Sequence, residues 1–72
     1  MTTEKKIELL ADMLDIDSES ISLDTRLEDL EEWDSLNALN LIALVDEEFG
    51  KTLSADVVNG LETVADIINV MQ

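Results

Sequence analysis

Apolar residues recur along this 72-residue chain at spacings that change from one segment to the next. Between Glu4 and Asp15, residues Ile7, Leu10, Ala11 and Leu14 fall at i, i+3, i+4 and i+7. That spacing draws a stripe down one side of an α-helix, and Thr2 or Thr3 offers a hydroxyl to cap its start. From Asp17 to Leu30 the periodicity lapses. Asp, Ser and Thr side chains there compete for backbone hydrogen bonds, so the segment reads as a long connection. Ile16, Ile21, Leu23, Leu27 and Leu30 are strung along it and are expected to pin it to the core. A loop this long in so small a chain needs a reason, and function is a common one.

Ser35 to Phe49 predicts a second helix, with Asp34 as its cap and Gly50 as its stop. It is apolar on more than one face, from Leu36, Ala38 and Leu39 through Leu41 to Val45 and on to Phe49. A helix so weakly amphipathic is expected to be enclosed by neighbours. Ser54 to Asn59 predicts a short helical piece ended by Gly60. The last helix starts near Thr63, with Val64, Ile67, Ile68 and Met71 at helical spacing. There is no proline, internal repeat, low-complexity tract or linker, so residues 1–72 read as a single domain. The expected fold is all-α: a small bundle of three main helices plus one short helix, with a long loop between the first two.

Composition narrows what such a bundle does. A chain of this length buries only about 60% of its unfolded surface, so its core is thin. It contains no cysteine, which excludes disulfides and thiolate metal sites and fits a reducing compartment. The start, Met1-Thr2-Thr3-Glu4, is polar and unlike a secretory signal. The longest apolar run, Leu41 to Val45, is far short of the ~20 residues of a membrane span. A cytoplasmic location is the expectation. Eighteen acids face four bases, Lys5, Lys6, Arg26 and Lys51, for a net charge of -14. Nucleic acid and anionic membranes would be repelled, and partners with basic patches would be steered in. Disorder is not expected, because 46% of residues are hydrophobic and they are periodic. The acids also cluster: Glu28, Asp29, Glu31, Glu32 and Asp34 fall within seven residues, just before Ser35.

Candidate chemistries fail for want of parts. A nucleophilic serine needs a base and an orienting group, and the chain has no histidine and no tyrosine to serve Ser35. Neighbouring carboxylates are expected by chance among eighteen acids, so a catalytic pair has no special support. Free enzyme activity is not expected. Asp15, Asp17 and Glu19 match three alternate ligand positions of a calcium loop. Ser20 and Arg26 then stand where that loop needs glycine and glutamate, so no metal site is expected.

The remaining signal is Asp34-Ser35-Leu36 at the head of the apolar helix, with Asp46-Glu47-Glu48-Phe49-Gly50 at its end. Leu27-Glu28-Asp29-Leu30 lies upstream and Thr63-Val64-Ala65-Asp66-Ile67 downstream. Together these segments resemble acyl carrier proteins, and the resemblance covers nearly the whole chain. It implies that Ser35 accepts 4'-phosphopantetheine from coenzyme A through a magnesium-dependent phosphopantetheinyl transferase. The arm's thiol then holds an acyl group as a thioester, and the partners are acyl-loading and acyl-transfer enzymes with basic docking patches. It implies a discrete monomer that is not itself an enzyme. A serine at a helix N-terminus suits a phosphate, because free N–H groups and the helix dipole favour negative charge.

The neighbours of Ser35 have two readings each. Asp34 is a helix cap, a transferase contact, or both. Leu36 is either an exposed docking residue, as the resemblance implies, or a core leucine. Trp33 packs against the loop or the third helical piece, or else walls the arm or meets a partner. Glu47 and Glu48 resemble the family's partner-facing acids, and otherwise are solvated charge at a helix end. Fatty-acid carriers of the family have acids where Asn37 and Asn40 stand here, and commonly a glycine within the segment Glu31-Glu32-Trp33. These departures favour a specialised pathway, such as a polyketide, a modified sugar or lipid, or an aminoacyl product. The alternatives are a peptidyl or aminoacyl carrier of the same fold, and an unmodified acidic adaptor that binds a basic protein.

Overall fold

A computed structural model describes residues 1–72 as four α-helices without a β-strand. Helix α1 spans Thr3–Leu14, α2 Ser35–Phe49, α3 Ala55–Asn59 and α4 Val64–Val70. This is the expected all-α bundle, although α4 has only seven residues against fifteen in α2. No helix is long and apolar enough to cross a membrane.

Each helix starts where a short polar side chain replaces the missing helical partner of an early N–H. The Thr2 hydroxyl accepts from the Lys5 N–H at 3.2 Å, and the Ser54 hydroxyl accepts from Val57 at 3.2 Å. At α4, Thr63 and Asp66 cap each other reciprocally: the Thr63 hydroxyl accepts from the Asp66 N–H, and the Asp66 carboxylate accepts from the Thr63 N–H. Asp15 ends α1 in the left-handed region at φ 59°, and the N–H of Ile16 returns to the Ala11 carbonyl at 3.0 Å. Aspartate tolerates that conformation better than most residues, so α1 stops without a glycine.

The α1 stripe falls as predicted: Leu10, Ala11 and Leu14 are buried and Ile7 packs against the core from its edge. Leu41 and Val45 of α2, with Val64 and Ile67 of α4 and Met71 beyond it, complete a fully buried centre. The expectation for α2 as a whole needs correcting. Leu41 and Val45 are its only buried residues, and one long side is open to solvent. Apolar residues lie on more than one side of its circumference. Four short helices do not supply enough surface to surround it.

The segment between α1 and α2 is tied down more closely than its composition suggests. It contains two three-residue 3-10 turns, Ser18–Ser20 and Leu27–Asp29. Ile21 and Leu27 are buried, and Ile16 and Leu30 pack against the core as expected. Leu23 departs from expectation: its side chain is exposed, because a turn closed by the Thr25 N–H onto the Ser22 carbonyl puts it at the corner. Its backbone still anchors the loop, accepting from the Ala65 N–H at 3.0 Å. Arg26 pairs with Thr63 as an isolated antiparallel bridge. There the Leu27 N–H reaches the Glu62 carbonyl and the Val64 N–H reaches the Thr25 carbonyl, both at 2.9 Å. This stitch binds the loop to the α3–α4 connection and brings its acidic end to the head of α2.

Candidate functional site

Ser35 is the first residue of α2 and is exposed. The chain enters the helix through Asp34, whose extended backbone and short carboxylate cap the first turn. That carboxylate accepts from the Asn37 N–H at 2.8 Å, and the Ala38 N–H bonds the Asp34 carbonyl at 2.9 Å. Asp34 therefore holds the helix rather than the neighbouring hydroxyl, and the Ser35 oxygen stays free at the surface. The cap reading of Asp34 is correct. The N–H groups of Ser35 and Leu36 keep no helical partner at this end. No acid follows within the first turn of α2. Beyond the Asp34 cap, the positive end of the helix dipole and the two unpartnered N–H groups face the surface beside the Ser35 hydroxyl, which suits a phosphate attached there.

Leu36 is 67% exposed, so the core reading of this residue fails. Leu39 is 63% exposed and belongs with it, and Val57 of α3 is 46% exposed. Leu39 and Val57 were not singled out by sequence. Residues 36, 39, 40, 43, 46 and 47 all lie within roughly a third of the α2 circumference, and every one of them is exposed. The side chains on this face run from apolar Leu36, Leu39 and Ala43 near Ser35 to acidic Asp46 and Glu47 at the far end. Glu47 shares the face with Leu36. Glu48 is exposed too but points about a quarter-turn away. Both acids lie about 18 Å or more along the axis from Ser35 at ~1.5 Å per residue. They are not part of one compact cluster with the serine.

Ser35 also borders two adjoining clefts. One, of about 240 Å³ between α2 and α3, is walled by Ala38, Leu39, Ile42, Ala55 and Val58. The other, of about 210 Å³, is bounded by Trp33, Val58 and Leu61 and shares Ser35 and Ala38 with the first. Trp33 is half-buried against the core and lines a further hollow with Leu27 of the loop and Leu61 beyond α3. The packed reading of Trp33 therefore holds toward the core, and the same ring borders the space beside Ser35. The site is a free hydroxyl at a helix head, an open apolar-to-acidic face beside it, and two small clefts behind it, of which the one between α2 and α3 is mainly apolar. Nothing in it resembles an acid–base pair.

A family model described as "Phosphopantetheine attachment site" matches residues 7–71. Three similar curated proteins each align over 68 residues, or 94% of this chain. They are the acyl carrier proteins of Onion yellows phytoplasma (37% identical, 90% of its length), Phytoplasma australiense (34%, 90%) and Petrotoga mobilis (29%, 80%). No solved structure matches the chain. The chain belongs to the phosphopantetheine-binding carrier family, and its function is that of an acyl carrier protein, a carrier rather than a catalyst. Its cofactor is 4'-phosphopantetheine, and its partners include a phosphopantetheinyl transferase and acyl-handling enzymes.

Proposed function

We propose that Ser35 is the residue to which 4'-phosphopantetheine is attached, and that the open face of α2 is where partner enzymes dock. The observation that carries the first part is the free Ser35 hydroxyl at the head of a fifteen-residue helix with no acid in its first turn. When attached, the group supplies the thiol that carries an acyl chain as a thioester, chemistry no residue of this chain provides. Asp34 keeps the helix head capped. The N–H groups of Ser35 and Leu36 offer a phosphate hydrogen bonds. Ala38, Ile42 and Val58 give an apolar lining against which an arm or a short acyl chain can lie.

Leu36 and Leu39 present exposed apolar surface next to the serine, which a docking partner can cover. Asp34 and Glu47, with Glu48 at the margin, add the negative charge that draws basic docking patches. On this reading the chain works as a single, monomeric carrier domain in the cytoplasm and avoids nucleic acid and anionic membranes. Asn37 and Asn40 lower the charge close to Ser35, which supports partners other than general fatty-acid elongation enzymes.

The test is intact mass after incubation with coenzyme A, magnesium and a broad-specificity transferase. The protein should gain one phosphopantetheinyl group, and Ser35→Ala should gain none while keeping its helical circular dichroism. A labelled Ser35→Ala would move the attachment elsewhere.

A further inference from the structure

Asn37 sits in the first turn of α2, half-buried, and three bonds meet on it. Its backbone N–H is capped by Asp34 at 2.8 Å. Its side-chain NH2 donates to the carbonyl of Glu32, five residues back, at 2.6 Å. Its side-chain oxygen accepts from the Asn40 amide at 3.0 Å. The first two bonds close a ring over residues 32–37, which contains Trp33, Asp34 and Ser35. A further bond, from the Trp33 N–H to the Leu30 carbonyl at 3.1 Å, continues the same turn. Most other side-chain bonds in the molecule span three or four residues within a single turn or cap. The Asn37–Glu32 bond differs because it fastens the incoming loop to the body of the helix.

We propose that Asn37 is a positioning residue for modification of the chain: its amide clamps the Glu32–Asp34 turn and thereby holds Ser35 and Trp33 in the arrangement a transferase binds. The inference rests on Ser35 being the attachment residue. An acid at position 37 cannot do this work, since a carboxylate has no hydrogen to donate and would face the Glu32 carbonyl oxygen with like charge. The amide at 37 is therefore more than an acid left out of the docking face. Its identity follows from the geometry of the turn.

The clamp acts before chemistry. When it opens, the turn samples several arrangements and only a fraction of molecules present the bound one. The apparent affinity falls by that fraction, and turnover of the bound complex does not. Loss of one hydrogen bond of ordinary strength sets the factor at roughly fivefold.

The experiment measures steady-state transfer from coenzyme A to the full chain, together with the emission of Trp33, the only tryptophan. Asn37→Ala removes the donor without adding charge and favours the helix, so it tests the clamp with the least strain on the fold. Asn37→Ala and Asn37→Asp should both raise KM for the carrier about fivefold, leave kcat within about twofold, and shift the Trp33 emission. Asn69→Asp makes the same amide-to-acid exchange on an exposed position of α4 and should behave as the parent. Wild-type KM and emission in Asn37→Ala would overturn the clamp. So would a KM rise in Asn37→Asp that Asn69→Asp reproduces and Asn37→Ala does not, since charge alone would then explain it. Ser35→Ala is run alongside. If it is still labelled, the attachment reading fails. If it is unlabelled while Asn37→Ala matches the parent, only the clamp fails.

Discussion

The carboxylate of Asp34 lies 2.8 Å from the Asn37 nitrogen, and the Ser35 hydroxyl beside it supports nothing in the fold. The two adjacent side chains therefore separate by experiment. Replacing an N-cap aspartate by alanine costs about 1 kcal/mol, which in a domain of this size lowers the melting temperature by about 4–8 °C. Asp34→Ala should show that loss. Ser35→Ala, at an exposed first helical position, should melt with the parent or slightly above it. Thermal denaturation followed by circular dichroism decides the matter, and a wild-type melting temperature for Asp34→Ala would deny it the capping role. Much of this was legible beforehand: Asp34 as cap, Ser35 as an available hydroxyl, Trp33 as a packed ring. The role of Asn37 was not. A bond from a side chain to a carbonyl five residues earlier depends on how the intervening turn folds, and no periodicity encodes it.

The two glycines end their helices by different means. Gly50 stops α2 in the left-handed region at φ 65°, and a Cβ there would meet nothing within 4 Å. Its requirement is conformational rather than steric. Gly60 follows α3 at φ -88°, an ordinary helical value, and a Cβ would make van der Waals contacts at 3.6 Å with the Asp56 and Val57 carbonyl oxygens. Gly50→Ala should therefore destabilise by about 1 kcal/mol, and Gly60→Ala should stabilise by about 0.4–1 kcal/mol by restricting the unfolded chain. Urea unfolding of the pair gives opposite signs, and equal shifts would contradict the assigned backbone conformations. Both glycines look alike in the sequence, as punctuation after an apolar segment. Helix positions were legible because caps and stripes are local signals. The open side of α2 was not legible, because hydrophobicity records how much apolar surface exists, not whether a neighbour covers it. Leu36 and Leu39 stay exposed in α2, beside the residue on which the carrier function is proposed to centre. The 3-10 turns and the Arg26–Thr63 bridge were invisible, being too short for any repeat and, for the bridge, made across 37 residues of chain.

On the scale of the molecule, eighteen acids and four bases share a body measuring 27 × 25 × 19 Å. Only two ion pairs form, Lys5–Glu8 at 3.8 Å and Arg26–Glu28 at 3.0 Å, and all four side chains are largely exposed. Such pairs contribute little, so the net charge of -14 is left to act mainly as repulsion. The dimensions say how salt should change this. At about 0.01 M the screening length is about 30 Å, longer than the molecule, and every acid feels every other. At about 0.1 M it is about 10 Å, and charges on opposite faces are decoupled while near neighbours such as Glu31, Glu32 and Asp34 still interact. The melting temperature should therefore rise between these concentrations and continue to rise more slowly toward about 1 M, where the length is about 3 Å. Sodium chloride and a chloride salt of a bulky organic cation should give the same curve if screening is the cause. A higher plateau with sodium alone would point to ions held by the acidic segment before Ser35. A melting temperature that is flat or falls with salt would mean that the fold does not carry the repulsion its composition implies, and that the four bases offset more charge than their two visible pairs account for.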